Sequence, residues 1–224
     1  MRVLIDHESG QAGERPDLTA AYAAPRQPWL RVNMVATLDG AGTGSDGRSG
    51  SINNPADKRV YDILRQLADA IVVGAGTARV EGYRVTDRPT VLVSRRGEVP
   101  EGLRGGVPGA VLLATCASSP GLVTARSVLG EDHVIVVGTD EVDLAEMKGR
   151  LVARGLTSLL SEGGPHLLRD LLDQGVADEL CATIVPRLVG GDHTRITAGA
   201  GIEVPLRLRV LLEHDGTLLG RWFV

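Results

Sequence analysis

Short apolar runs alternate with segments of helical periodicity along most of this chain, and this alternation constrains its fold more than any other feature. Runs such as WLRVNMVAT, AIVVGAG, TVLVSR, AVLLAT and HVIVVG have the length and composition of strands. Helix-period segments such as PADKRVYDILRQLAD and DLAEMKGRLVARG lie between them. The sequence therefore predicts an α/β fold with a mostly parallel sheet flanked by helices.

Two local signals set element boundaries. Residues 55–69 are predicted to form an amphipathic helix, because apolar residues recur at helical spacing after Asn54 and Pro55, which suit the N-cap and first helical positions. Near the C-terminus, Asp215-Gly216 suits a type I′ turn between RLRVLLEH and TLLGRWFV. The antiparallel hairpin predicted there makes the sheet mixed. Residues 97–108 are predicted to be a surface loop between strands.

The first 28 residues mix charge, alanine and three prolines without sustained periodicity. They are predicted to form an N-terminal arm, and the fold is predicted to begin at Trp29. A chain of 224 residues without an internal linker favours one domain, which we place at residues 29–224.

Charge and cysteine content narrow the function classes. The formal net charge is −4, without a long basic run, which argues against a nucleic-acid partner and leaves a phosphorylated small molecule open. Cys116 and Cys181 are isolated, so neither a metal site nor a disulfide framework is expected, and the compartment is predicted to be a reducing cytoplasm. No apolar stretch reaches the length of a membrane span, and the N-terminus lacks the apolar core of a signal peptide.

The segment AIVVGAGTARVEG, residues 70–82, is the first candidate site. A strand is followed by Gly74 and Gly76, and then Thr77 is predicted to open a helical turn. Small residues and free backbone N–H groups at a helix start favour phosphate. Arg79 stands where a third glycine would complete the dinucleotide fingerprint, so a tight turn without a ligand remains an alternative.

Ser94-Arg95-Arg96, about 20 residues after Gly74, is the second candidate site. Folds that bind NAD place an acidic residue near this position, whereas an arginine accommodates the 2′-phosphate of NADP. The turn therefore favours NADP, and the alternative is a solvated basic turn.

Two further sites combine glycines with carboxylates. Gly163, Gly164 and Pro165 form a second helix start suited to pyrophosphate, and they follow Glu162 at the end of a strand. Glu162 there suits a neutral polar ring or proton transfer better than a phosphate; the alternative is a capped helix with a surface glutamate. In residues 33–50, Asp39 precedes a glycine-rich loop that approaches a ligand, or else forms a long turn.

Taken in order, these motifs resemble the reductase domain of riboflavin biosynthesis. The resemblance runs from about Trp29 to the C-terminus and rests on TLDG, SGSI, LR, DAIVVGAGT, VLVSR, SEGGP, VADEL and IVPRLVGG. It implies a dihydrofolate-reductase-like fold and an enzyme that reduces the ribose of a phosphoribosylamino-pyrimidine with NADPH. The H-x-E and P-C-x-x-C motifs of the zinc deaminase half do not occur, so a stand-alone reductase is expected.

The resemblance assigns roles to individual residues. Together with the site analysis, it predicts that the cofactor is bound by Gly74, Gly76, Thr77, Glu81, Ser94, Arg95, Gly163, Gly164, Pro165, His166 and Leu167. Substrate binding is assigned to Asn33, Ser49, Arg65 and Glu162, and catalysis to Glu162 and Asp39. Glu162 would hold or protonate the pyrimidine, Arg65 would anchor the phosphate, and Asp39 would order the loop.

Two positions depart from the family pattern, which often has Asp at Glu81 and, in many bacterial members, Lys at Asn33. The implied reaction is hydride transfer from the nicotinamide to C1′ of the ribose after the sugar opens to an imine. A cytoplasmic homodimer is expected. The alternatives are a dihydrofolate or pterin reductase on the same scaffold and a non-catalytic nucleotide-binding regulatory module.

Overall fold

The computed structural model describes residues 1–8, 10 and 12–224. Within them, ten strands and six α-helices follow one another along the chain. They are β1 (Arg2–Asp6), α1 (Leu18–Ala21), β2 (Trp29–Thr37), α2 (Pro55–Gln66), β3 (Ala70–Gly74), α3 (Ala75–Val80), β4 (Thr90–Val93), β5 (Val111–Thr115), α4 (Leu122–Leu129), β6 (Val134–Val136), α5 (Leu144–Val152), β7 (Ser158–Ser161), α6 (Pro165–Asp173), β8 (Glu179–Val185), β9 (Arg207–His214) and β10 (Thr217–Phe223). Short 3-10 helices lie at Ser49–Ser51, Glu101–Leu103 and Glu131–His133.

All ten strands form one sheet in the order β1-β9-β10-β8-β2-β7-β3-β4-β5-β6. The strands from β8 to β6 are parallel, whereas β10, β9 and β1 continue the sheet antiparallel. Asp215 and Gly216 join β9 to β10 with φ angles of 48° and 78°, as a type I′ turn requires. The predicted mixed, mostly parallel sheet with a C-terminal hairpin is therefore confirmed.

Helices cover both faces of the parallel part of the sheet. Along β3, Ala70 and Val72 belong to the core under α5 and α6, whereas Ile71 and Val73 belong to cores on the opposite face under α2, α3 and α4. All four side chains are buried because successive residues of a strand point to opposite faces. This two-sided burial explains why the central strands are continuous apolar runs in the sequence.

Helix α2 begins where the sequence predicts. The Asn54 side chain accepts hydrogen bonds from the backbone N–H groups of Ala56 and Asp57, and Pro55 occupies the first turn. The helix ends at Gln66, three residues before the predicted end.

The structure corrects the prediction of an N-terminal arm outside the fold. Strand β1 pairs with β9, which makes residues 2–6 an edge strand of the sheet. Tyr22 is 1% exposed, and Arg31 donates a hydrogen bond to its carbonyl. Arg31 and Arg221 both contact the buried Glu179 carboxylate. Arg31 and Arg221 are buried, so their guanidinium groups need hydrogen-bond acceptors from the protein. They find these acceptors in the backbone carbonyls of residues 21–23, which are thereby held against the sheet.

The predicted loop at 97–108 does connect β4 to β5, but it is not wholly on the surface. Val99 and Leu103 are buried beneath α3 and α4, where they extend the core on that face. Among the described residues, none of the helices combines the length and the apolar character needed to cross a membrane.

Candidate active site

The two predicted glycine-rich turns lie side by side at the carboxyl ends of β3 and β7. The backbone N–H of Gly74 donates to the carbonyl of Gly163 over 2.9 Å, so one hydrogen bond joins the turns. The α3 helix begins at Ala75 and not at Thr77, because Gly74 already has the extended backbone of an N-cap. Ligands of open α/β sheets bind at this edge of the sheet.

A groove of about 650 Å³ runs along these strand ends. Nine of the eleven predicted cofactor residues line it: Gly74, Gly76, Thr77, Ser94, Arg95, Gly164, Pro165, His166 and Leu167. Gly163 and Glu81 do not line the groove. A second cavity of about 540 Å³ is separated from it by Arg79 and Glu98 and contains none of the predicted site residues.

Helix α6 presents free backbone donors to the groove. Its N-cap is Gly164, and in the described part of the chain no side chain caps the first turn. The N–H groups of His166 and Leu167 are therefore available to an anion. A Cβ atom at position 164 would lie 2.1 Å from the Thr77 hydroxyl oxygen, so glycine allows the starts of α3 and α6 to approach each other.

A hydroxyl and a cation lie at the end of β4. The buried Ser94 hydroxyl accepts a hydrogen bond from the backbone N–H of Glu98 over 3.1 Å, and none of the described residues accepts its own hydrogen. Arg95 is exposed, and its guanidinium has no partner among the residues that the structure describes. This pair suits a phosphate monoester.

Glu162 and Arg65, which the sequence identified separately, form one ion pair. The Arg65 Nε and Nη2 atoms lie 2.6 and 2.7 Å from the two carboxylate oxygens of Glu162. Tyr61 donates to the same carboxylate over 3.3 Å, and Tyr83 donates to it as well. The Glu162 side chain is 3% exposed. The site thus contains a buried carboxylate held by four hydrogen bonds from three side chains.

Both tyrosines remain neutral donors. Burial raises the pKa of Tyr83 well above its usual value, and the negative charge of Glu162 raises it further. The pKa of Tyr61 is raised for the same two reasons. Sequence reasoning missed both residues; the only available signal was the placement of Tyr61 one turn before Arg65 on α2.

The ion pair leaves part of each group available. Among the described residues, Glu162 Oε1 accepts from Arg65 alone, so it retains a lone pair for a ligand donor. Arg65 uses two of its five N–H donors on Glu162, which leaves three for a phosphate. Burial lowers the pKa of Arg65, but the hydrogen bond and charge of Glu162 raise it more strongly. Its predicted role as the phosphate anchor remains a prediction.

Glu81 contacts a predicted substrate residue and does not reach the groove. Its Oε1 atom accepts hydrogen bonds from the backbone N–H and the hydroxyl of Ser49, over 2.8 and 2.9 Å. Glu81 therefore holds the 3-10 helix at Ser49–Ser51 against the end of α3. Asn33 lies on β2 opposite Cys181 of β8 and is half-buried. The binding roles of these residues remain predictions.

Asp39 ties two loops together. Its carboxylate accepts hydrogen bonds from the Thr37 hydroxyl and from the backbone N–H groups of Val189 and Gly190, the latter two over 3.0 and 2.8 Å. The Thr37 hydrogen bond and then that of Gly190 lower the pKa of Asp39 from 3.8 to about 2. This geometry supports the predicted loop-ordering role and leaves Asp39 ionised near neutral pH. Its assignment to catalysis remains a prediction.

We expect Asp39→Ala to accelerate hydrogen exchange at the Val189 and Gly190 amides, because the substitution removes their acceptor. In the wild type, the lowered pKa means that ionised Asp39 stabilises the folded state. This contribution to stability is complete above about pH 4 and is lost as the pH falls towards 2. A carboxyl ¹³C titration should therefore show a midpoint near 2. Asp192→Ala, in the same exposed loop, is the control and should leave both amides unchanged.

A family model places the chain among known proteins. The model that describes the RibD C-terminal domain matches residues 28–217. The chain belongs to the RibD C-terminal domain family. The resemblance inferred from its motifs is thereby confirmed.

Individual members of the RibD C-terminal domain family agree with this assignment. A Methanothermobacter thermautotrophicus relative named 2,5-diamino-6-ribosylamino-4(3H)-pyrimidinone 5′-phosphate reductase is 30% identical over 204 residues, 86% of this chain and 94% of that protein. A pyrimidine reductase-like protein from Corynebacterium diphtheriae superposes with a TM-score of 0.77 at 26% identity, covering 95% of this chain and 96% of that one. Acinetobacter baumannii RibD shares the fold, with a TM-score of 0.68 at 19% identity, over 88% of this chain and 58% of its own.

Proposed function

We propose that this chain is an NADPH-dependent reductase of riboflavin biosynthesis. It would reduce the ribose of 5-amino-6-(5-phosphoribosylamino)uracil, or of the undeaminated pyrimidine, to the ribitylamino product. The observation that carries the proposal is the convergence of nine predicted cofactor residues on one groove, next to the buried Glu162 carboxylate. The name of the Methanothermobacter relative favours the diamino, undeaminated form of the substrate.

The groove fits a phosphorylated nicotinamide dinucleotide. The start of α6, which no described side chain caps, suits the pyrophosphate. Arg95 has no partner among the described residues and lines the groove with Ser94, and this pair suits the 2′-phosphate. Gly164 allows the starts of α3 and α6 to lie close together, because a Cβ atom there would meet the Thr77 hydroxyl. When bound, the cofactor supplies the hydride, and the protein supplies orientation and electrostatics.

The remaining site residues would act on the substrate. Glu162 would accept a hydrogen bond from the pyrimidine through Oε1, while Arg65, Tyr61 and Tyr83 hold its carboxylate in place. Ser49 would bind the substrate near α2, with Glu81 fixing its backbone.

The proposed function is tested by following NADPH absorbance with the uracil substrate, the diamino pyrimidine and dihydrofolate in separate assays. We expect oxidation with at least one of the two ribosylated pyrimidines and none with dihydrofolate. Oxidation with dihydrofolate alone would support a pterin reductase. Binding of NADPH without turnover of any of the three would support a nucleotide-binding module.

A homodimer in the cytoplasm is part of the same proposal. Leu38 and Leu188 are about 70% exposed on adjoining loops, and a partner would cover such side chains. Light scattering should return twice the 23.6 kDa chain mass. A mass equal to one chain at micromolar concentration would contradict the dimer.

We expect the wild type to prefer NADPH over NADH, and Arg95→Gln to weaken NADPH binding by roughly 10- to 150-fold. This range corresponds to about 1.5–3 kcal/mol for a charge-assisted hydrogen bond to the 2′-phosphate. NADH affinity should change little, which titration calorimetry can measure. Arg96→Gln is the comparison variant and should have a smaller effect, because Glu98 offsets the Arg96 charge. Equal losses with both cofactors would contradict the role of Arg95.

A further inference from the structure

The Glu98 carboxylate lies between two cations of the groove. Arg79, Arg95 and Arg96 all line it, and so does Glu98. Glu98 Oε1 lies 3.0 Å from Arg96 Nε, and Glu98 Oε2 contacts Arg79 Nη2. The Ser94 hydroxyl accepts from the Glu98 backbone N–H, which folds the turn back so that the carboxylate faces both arginines. Arg95 is therefore the only one of the three arginines without a partner in the described ranges.

These ion pairs are exposed enough for the arginines to exchange the Glu98 carboxylate for another anion. The Glu98 side chain is 42% exposed, and those of Arg79 and Arg96 are 56% and 75% exposed. Pairs between solvated side chains are weak and screened by salt. A phosphate monoester has more charge and more acceptor oxygens than a carboxylate, so it would compete well for the same guanidinium groups.

The turn also contains the residue type that each cofactor needs. In dinucleotide sites an acidic side chain accepts from the ribose 2′-hydroxyl of NAD, whereas arginine accommodates the 2′-phosphate of NADP. Arg95 and Glu98 provide both within a five-residue turn. A carboxylate at this position repels the 2′-phosphate and favours the 2′-hydroxyl.

We propose that Glu98 is a specificity-determining residue that competes with the cofactor 2′-phosphate for Arg79 and Arg96. Glu98 thereby lowers the preference for NADPH over NADH that Arg95 creates. This inference rests on the proposed function, because it assumes that the groove binds the dinucleotide.

The test compares binding of 2′,5′-ADP and 5′-AMP, which differ only in the 2′-phosphate, by titration calorimetry. Glu98→Gln should tighten 2′,5′-ADP binding by about 3- to 10-fold, as expected from the release of two weak ion pairs, and should leave 5′-AMP binding unchanged or weaker. The gain should shrink at high ionic strength. In the same way, Glu98→Gln should tighten NADPH binding and leave NADH binding unchanged or weaker.

The matched control is Glu101→Gln. Glu101 is exposed on the wall of the neighbouring cavity and has no ion pair within the part of the chain that the structure describes. The Glu101→Gln substitution removes the same charge and should change 2′,5′-ADP binding by less than about twofold, since exposed charges at a distance are screened. In an Arg79→Gln, Arg96→Gln background, Glu98→Gln has no cation to release, so the gain should shrink to what the loss of charge repulsion alone provides.

Three outcomes would overturn the proposal: equal tightening of both nucleotides, the same gain in Glu101→Gln, or a gain that is undiminished without the two arginines. A wild-type protein that binds 2′,5′-ADP no more tightly than 5′-AMP would instead overturn the proposed 2′-phosphate site itself. Thermal unfolding of each variant confirms folding, and exposed pairs of this kind contribute little to stability.

Discussion

Glu162→Gln is expected to lower turnover by roughly 10²–10⁴ if the carboxylate acts as a general acid or base, while NADPH affinity stays nearly intact. Glutamine keeps the size of the side chain and one acceptor oxygen but removes the negative charge and the proton-accepting ability. The residue directly precedes the glycine turn but does not itself line the groove, and Arg65 and Tyr61 of α2 hold its carboxylate. The loss should therefore appear in substrate turnover.

The kinetic pattern distinguishes the possible roles of Glu162. A carboxylate that only positions the substrate would give a smaller loss, mainly in KM. The pH profile of kcat should flatten in the variant if Glu162 transfers a proton. Glu131→Gln, an exposed change of the same kind, controls for net charge. A variant that loses NADPH binding but keeps kcat at saturating cofactor would show that Glu162 belongs to the cofactor side.

Arg65→Met is expected to destabilise the protein by about 3–5 kcal/mol, because it leaves a buried carboxylate without its cation. The Glu162 side chain is 3% exposed, and without Arg65 its remaining hydrogen-bond donors among the described side chains would be the hydroxyls of Tyr61 and Tyr83. Methionine preserves most of the side-chain volume, so the lost stability comes mainly from the broken ion pair and less from changed packing. The measurement is the free energy of unfolding in urea.

Arg59→Met is the matched control on the same helix. Arg59 is exposed and forms no ion pair with any residue in the described ranges, so its replacement should cost less than about 0.5 kcal/mol. The double variant Arg65→Met, Glu162→Gln should recover part of the stability, since it removes the uncompensated charge. A similar loss in Arg59→Met, or no recovery in the double variant, would contradict this account.

The features that the sequence predicted well are those whose signals are local. The start of α2 depends on Asn54 and Pro55, which act within one helical turn, and the C-terminal hairpin depends on the adjacent Asp215 and Gly216. The glycine turns could be placed because each follows its own strand. Their convergence on one groove follows from parallel strands ending at the same edge of a sheet.

The features that the sequence did not predict require partners from distant segments. Glu179 binds Trp29, Arg31 and Arg221. The two arginines in turn donate hydrogen bonds to the backbone carbonyls of residues 21–23, which ties this part of the first 28 residues to the sheet. Nothing near Glu179 in the sequence signals that network. In the same way, Tyr83 and Arg65 come from separate elements, and neither indicates that both contact Glu162.

The order of the strands has a consequence for synthesis on the ribosome. Strand β2 lies at the centre of the sheet, yet its neighbours β7 and β8 are completed more than 120 residues later. At about 5–20 residues per second, β2 waits roughly 7 to 30 seconds for both partners to be synthesised. During that time the apolar segment WLRVNMVAT has neither neighbour, so newly made chains should depend on chaperones until residue 185 has left the exit tunnel.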